Sequence, residues 1–141
     1  MSYSILIVDD SMPMRTVLKR SLAAAGYAGA SILEASNGKE ALTVLAGDWV
    51  DLIMTDYNMP EMNGLSFLKK VKTEALFKEI PVVVISTEGN DSKIKEFMEA
   101  GAAGYVTKPF TSEDLRDLIV SIIGEADYEE SIDDSDDEFD F

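Results

Sequence analysis

The sequence contains no cysteine and no histidine, only 4 prolines and a single tryptophan, and 12 basic residues against 27 acidic ones. Without cysteine or histidine there can be no disulfide, no thiolate or imidazole metal site, no Ser-His-Asp triad and no Cys-His pair. Metal binding and nucleophilic chemistry are left to carboxylates, hydroxyls and amides. The formal net charge of −15 argues against direct DNA or RNA binding, which draws on clustered Lys and Arg. No apolar run exceeds four residues, and Met1 to Asp10 has no basic stretch. Neither a membrane span nor a signal peptide is therefore expected, and the chain reads as cytoplasmic.

What is present is a chain of 141 residues, 46% of them hydrophobic, which suits one domain with a core that needs no crosslinks. The charge is unevenly spread: residues 125–141 hold ten acids and no base, leaving residues 1–124 with 17 acids against 12 bases, a net of −5. The chain thus divides into a domain, 1–124, and an acidic tail, 125–141. The tail repels itself and has few groups to bury, so it is expected to be disordered. Tyr128, Ile132, Phe139 and Phe141 interleave with its acids. It reads either as a solvating appendage or as a segment that docks a basic partner or the domain itself.

Within the domain, short apolar runs alternate with segments of helical period. Ser4–Val8, Asp51–Thr55 and Pro81–Ser86 read as strands buried on both faces, with weaker strands at Ser31–Ala35 and Gly104–Thr107 suited to the flanks. Leu115, Leu118, Ile119, Ile122 and Ile123 define an amphipathic helix after Thr111 or Ser112, with Glu113 and Asp114 in its first turn. Ile94, Phe97, Met98 and Gly101 repeat the pattern after Asp91 or Ser92. Leu18, Leu22 and Ala25 do so after Ser11, with Pro13 in the first turn. Two more helices run from about Lys39 to Ala46 and from about Leu65 to Lys72. Trp49 and Phe110 are assigned to packing, and Gly64 to backbone geometry before a helix. Five β-α repeats with short links predict a doubly wound α/β fold, a five-stranded parallel sheet flanked by five helices, with ligands bound beyond the carboxyl ends of the strands.

Those ends carry Asp9 and Asp10, Asp56, Ser86 and Thr87, and Lys108 before Pro109. Three carboxylates at one place repel unless a cation intervenes. Oxygen-only ligands, completed by water and a phosphate, suit Mg²⁺ better than a Ca²⁺ cage. Lys108 adds a point charge and Ser86 a hydroxyl donor. These are the parts that phosphoryl transfer needs: Asp56 as nucleophile, Asp9 and Asp10 as metal holders, and Lys108 and Ser86 stabilising the transferred charge.

Four motifs carry a resemblance: Ile7-Val-Asp-Asp10; Asp56-Tyr-Asn-Met-Pro60 with Gly64 following; Ser86-Thr87; and Gly104-Tyr-Val-Thr-Lys-Pro-Phe110. In this order and spacing they resemble the receiver domain of bacterial response regulators, over about residues 4 to 124, and most of all its stand-alone chemotaxis type. The resemblance implies the flavodoxin-like fold with strand order 2-1-3-4-5. It implies phosphorylation of Asp56 by a phosphohistidine on a partner kinase, and metal ligation by Asp9, Asp10, Asp56 and the backbone carbonyl of Asn58. It also implies a switch in which Tyr105 turns inward as Ser86, in place of the family's usual Thr, moves to the phosphoryl group. Asn58 and Glu88 occupy the positions that tune dephosphorylation. Tyr105 has a second reading, as a half-buried strand tyrosine with its hydroxyl at the surface.

The implied function is a switch that alters its helix 4, strand 5 and helix 5 surface to control a downstream protein, such as a flagellar switch component, with a phosphatase as a further partner. It is not expected to be an enzyme beyond its own phosphorylation and dephosphorylation. A phosphorelay intermediate passing the group to a histidine phosphotransfer protein is the alternative. A Mg²⁺-dependent phosphatase resembling the haloacid dehalogenases fits less well, because their paired aspartates are spaced Asp-x-Asp on one strand end. Nucleotide-binding glycine motifs are absent.

Overall fold

The computed structural model describes residues 3–57, 59, 62–87 and 89–124. Asn58, Glu88 and the acidic tail, with the expectations placed on them, lie outside the described residues. The elements alternate as β1 (Ser4–Val8), α1 (Met12–Leu22), β2 (Ser31–Ala35), α2 (Gly38–Gly47), β3 (Leu52–Asp56), α3 (Gly64–Thr73), β4 (Val82–Ser86), α4 (Asp91–Glu99), β5 (Gly104–Thr107) and α5 (Ser112–Ile123). The strands form one parallel sheet in the order β2-β1-β3-β4-β5. This is the flavodoxin-like order that the motifs implied.

Alternation along each central strand splits the core in two. Ile5, Ile7, Leu52, Met54, Val83 and Ile85 pack against Leu18 and Leu22 of α1 and Leu115 and Ile119 of α5. Leu6, Val8, Ile53, Val82 and Val84 face the opposite way, against α2, α3 and α4 through Ala41, Leu45, Phe67, Leu68, Val71 and Phe97. Burying each large aliphatic side chain is worth about 1.5–3 kcal/mol, so continuous apolar runs stabilise both layers at once.

Helix starts are set by caps that satisfy free N–H groups. Ser11, Asn37, Asn63, Asn90 and Thr111 each accept from the backbone N–H three residues on, and Thr111 with Asp114 forms a reciprocal capping box. The cap of α4 is thus Asn90 rather than Asp91 or Ser92.

Other expectations are corrected. α1 ends as a regular helix at Leu22 and widens into a π-turn over Ala23–Tyr27, where Gly26 takes φ 104°; Ala25 is buried there all the same. On α4, Phe97 is fully buried while Met98 is 44% exposed, and Gly101 lies past the helix with φ 109°. β3 runs Leu52–Asp56, one residue on from the expected run Asp51–Thr55, and ends in Asp56. Trp49 is not packed in the core. It is 80% exposed, and its indole N–H donates to Asp51 Oδ1 at 2.9 Å, so its polar atom is satisfied two residues away.

Candidate functional site

The parallel sheet directs the ends of β1, β3, β4 and β5 to one edge, where the sequence places its acids. Asp9 follows β1. Its N–H donates to the Ala35 carbonyl at 3.0 Å, its Oδ1 accepts from the Ser11 N–H at 2.8 Å, and its carbonyl accepts from Arg15 Nη1 at 2.5 Å. It is 2% exposed, whereas Asp10 beside it is exposed. Asp56 continues the Leu52, Met54 row of β3, and its Oδ1 meets Lys108 Nζ at 3.4 Å, both side chains being largely covered. Gly64 closes the β3–α3 connection from behind, its N–H donating to the Tyr57 carbonyl at 2.8 Å. A Cβ on Gly64 would stand 2.5 Å from the Asp56 carbonyl oxygen, so the close approach requires glycine.

Carboxylate oxygens of Asp9, Asp10 and Asp56 lie within 4.8 Å of one another. Burial is the main influence raising the Asp9 carboxyl above its ordinary value; the Ser11 N–H opposes it, and the charges of Asp56 and Asp10 add to it. Two forces therefore disfavour the fully ionised cluster, and Lys108 offsets only part of them. A hard dication with oxygen ligands is the species that relieves both, so these residues fit Mg²⁺ or an ion like it.

Ser86 ends β4, 1% exposed, and its carbonyl accepts from the Lys108 N–H at 2.8 Å. It continues the Val82, Val84 row, on the face against which Tyr105 also packs. Tyr105 is half-buried, its ring tilted on Phe97 with centroids 5.6 Å apart, and Tyr57 meets the other side of Phe97 edge-on at 5.3 Å. Thr87 is exposed.

Four contributors, Thr55, Arg15, Glu34 and Lys19, were not singled out from the sequence. Thr55, 1% exposed, donates its hydroxyl to the Asp56 carbonyl at 3.0 Å. Arg15 also donates from Nε to Glu34 Oε1 at 2.8 Å, and Lys19 Nζ binds Glu34 Oε2 at 2.8 Å; Lys19 and then Arg15 hold the Glu34 carboxyl below its ordinary range. The i, i+4 spacing of Arg15 and Lys19 on one helix face, opposite an acid on the neighbouring strand, was the available signal.

An acidic triad, a buried hydroxyl and a lysine at the carboxyl edge of a five-stranded parallel sheet make a site for a metal ion and an anionic group. The family model of the response regulator receiver domain matches residues 5–120, and the chain belongs to that family. The chemotaxis protein CheY1 of Helicobacter pylori is 41% identical over 121 residues, 85% of this chain and 96% of that protein. The two-component response regulator ORR3 of Oryza sativa subsp. indica is 42% identical over 120 residues, 84% of this chain and 89% of that one. Among solved structures, the chemotaxis protein CheY4 of Vibrio cholerae superposes with a TM-score of 0.77 at 33% identity, covering 86% of this chain and 99% of that one. This is a receiver domain of the CheY type, of two-component signalling. Among the described residues no helix is long and apolar enough to cross a membrane.

Proposed function

We propose that the chain is a chemotaxis response regulator that takes a phosphoryl group onto Asp56 from a phosphohistidine of a partner kinase, in the presence of Mg²⁺. The observation that carries this reading is the convergence of Asp9, Asp10 and Asp56 within 4.8 Å, with Lys108 Nζ 3.4 Å from Asp56 Oδ1. An Asp56 carboxylate oxygen attacks phosphorus in line with the leaving imidazole nitrogen. The P–O bond forms, the P–N bond breaks, and the imidazole leaves with the electron pair and takes up a proton from water. A carboxylate nucleophile carries no proton to remove, so no general base is needed. Lys108 neutralises charge on the transferred oxygens and the Ser86 hydroxyl donates to one of them. Asp9, Asp10 and Asp56, with the Asn58 carbonyl that the resemblance adds, would hold the ion. When bound, it screens the carboxylates from the incoming phosphoryl oxygens.

The chain modifies itself and turns over no separate substrate. Movement of Ser86 toward the phosphoryl group, followed by Tyr105, alters the α4–β5–α5 surface and so its affinity for a downstream protein, in chemotaxis a flagellar switch component. Asn58 and Glu88 set the rate of dephosphorylation, alone or with a phosphatase.

The test is intact-protein mass after incubation with Mg²⁺ and acetyl phosphate, beside Asp56→Asn and a chelated control. One labile phosphoryl adduct that needs both Mg²⁺ and Asp56 is expected. No adduct in a protein that binds Mg²⁺ would reduce the chain to a binding module. A relay reading draws support from the rice relative, which is named only as a two-component response regulator. Rapid back-transfer to a histidine phosphotransfer protein would select it.

A further inference from the structure

Asp10 is exposed, and among the described residues its carboxylate accepts no hydrogen bond. Its direction is therefore set by its backbone, beginning with the peptide joining it to Asp9. That peptide's carbonyl is held by Arg15 Nη1 at 2.5 Å, while Asp9 itself is fixed at its N–H by Ala35 and at Oδ1 by Ser11. Arg15 is held in turn: its side chain is only 12% exposed, and its Nε is bound to Glu34 on β2, which Lys19 grips from the other oxygen. A planar guanidinium offers both contacts from one rigid fork, which an ammonium cannot reproduce.

The geometry points to Arg15 as a positioning residue for cation binding: its fork, braced by Glu34, orients the Asp9–Asp10 peptide and thereby the Asp10 carboxylate. This rests on the reading of Asp9, Asp10 and Asp56 as the cation site. Outer partners that orient ligands typically change metal affinity about 10–100-fold when removed. Charge alone has the opposite sign. Deleting a positive group beside an acidic cluster would tighten cation binding, whereas loss of positioning weakens it.

The experiment is calorimetric titration of the full chain with Mg²⁺ at fixed ionic strength, with thermal midpoints recorded for every variant. Arg15→Met and Arg15→Lys are each expected to weaken Mg²⁺ binding about ten-fold or more. Lys19→Met cuts the other arm of Glu34 without touching Asp9, and is expected to stay within about two-fold of the parent. Glu34→Gln keeps the shape with a weaker brace and is expected between the two, so the proposal stays testable if Arg15→Met fails to fold. Unchanged or tighter binding in both Arg15 variants would overturn it, as would a Lys19→Met loss equal to that of Arg15→Lys. A parent chain that binds no Mg²⁺ would instead overturn the cation site itself, and this inference with it.

Discussion

At the N-terminal end of the sheet, Asp51 accepts from the Ser4 N–H at 2.8 Å and the Trp49 indole at 2.9 Å. At the C-terminal end, Asp9, Asp10 and Asp56 face one another with Lys108 as the nearby ammonium. The first end is tied off. Tyr3 donates to the Ile123 carbonyl at 2.9 Å, Tyr27 to the Gly124 carbonyl at 3.0 Å, and Lys72 to the Lys78 and Ile80 carbonyls at 3.0 and 2.9 Å. Every carboxylate or hydroxyl in that set is spent on stabilising contacts. The second end concentrates charge of one sign and leaves it for an added ion. One set of strands therefore separates two demands, because parallel strands send all their starts one way and all their ends the other.

The sharpest way to break this comparison is Asp56→Asn. It is expected to abolish the phosphoryl adduct in intact-mass measurements while leaving the thermal midpoint at or above the parent's, since it removes one of three repelling carboxylates. Added Mg²⁺ is expected to act at the same end. At a hundred-fold excess over its dissociation constant it is expected to stabilise the fold by about 2.7 kcal/mol in thermal denaturation, reversed by a chelator.

Proton and metal compete there. Burial raises the Asp9 carboxyl above its ordinary value of 3.8 in the folded chain, so its stabilising contribution is complete below that value and is lost as pH rises through the folded value. Metal-free protein is thus expected to lose stability from this group as pH rises above about 4, and Asp9→Asn to flatten that slope in chemical denaturation. At the other end, Asp51→Ala removes the acceptor of the part-buried Ser4 N–H, while water can replace it at the exposed Trp49 indole, and is expected to cost about 1–2 kcal/mol in chemical denaturation, with Mg²⁺ affinity unchanged. The smallest effect is expected from Tyr3→Phe, about 1 kcal/mol by the same measurement.

Much of this was legible in the sequence because it depends on position along the chain. Ile5–Val8 and Val82–Ile85 are too uniformly apolar for a one-sided sheet, and strict alternation with helices sends Asp9, Asp56 and Lys108 to one edge. What escaped depends on reach. Arg15 stands at the start of a helix, where a cation has many uses; its length brings it to the Asp9 carbonyl, and the register of β2 brings Glu34 to it. Trp49 misled because hydrophobicity ranks the ring above its surroundings, whereas here Asp51 satisfies the indole N–H at the surface. On α4, one turn supplies Phe97 to the core and turns Met98 outward, a division that periodicity drew too broadly.

Trp49 is also the only tryptophan in the chain, and it stands three residues before β3, whose last residue is Asp56. The protein consequently carries a built-in optical reference. Tryptophan emission reports the tied end of the sheet through the indole contact with Asp51, and cation binding or phosphorylation at the far end is expected to leave it constant. Tyr57, adjacent to Asp56 and in ring contact with Phe97, is one of five tyrosines, and the part of the tyrosine absorbance change that Tyr57→Phe removes would follow events at the acidic end. The single tryptophan thus allows unfolding to be followed at the end of the sheet away from the acidic cluster, with no label attached.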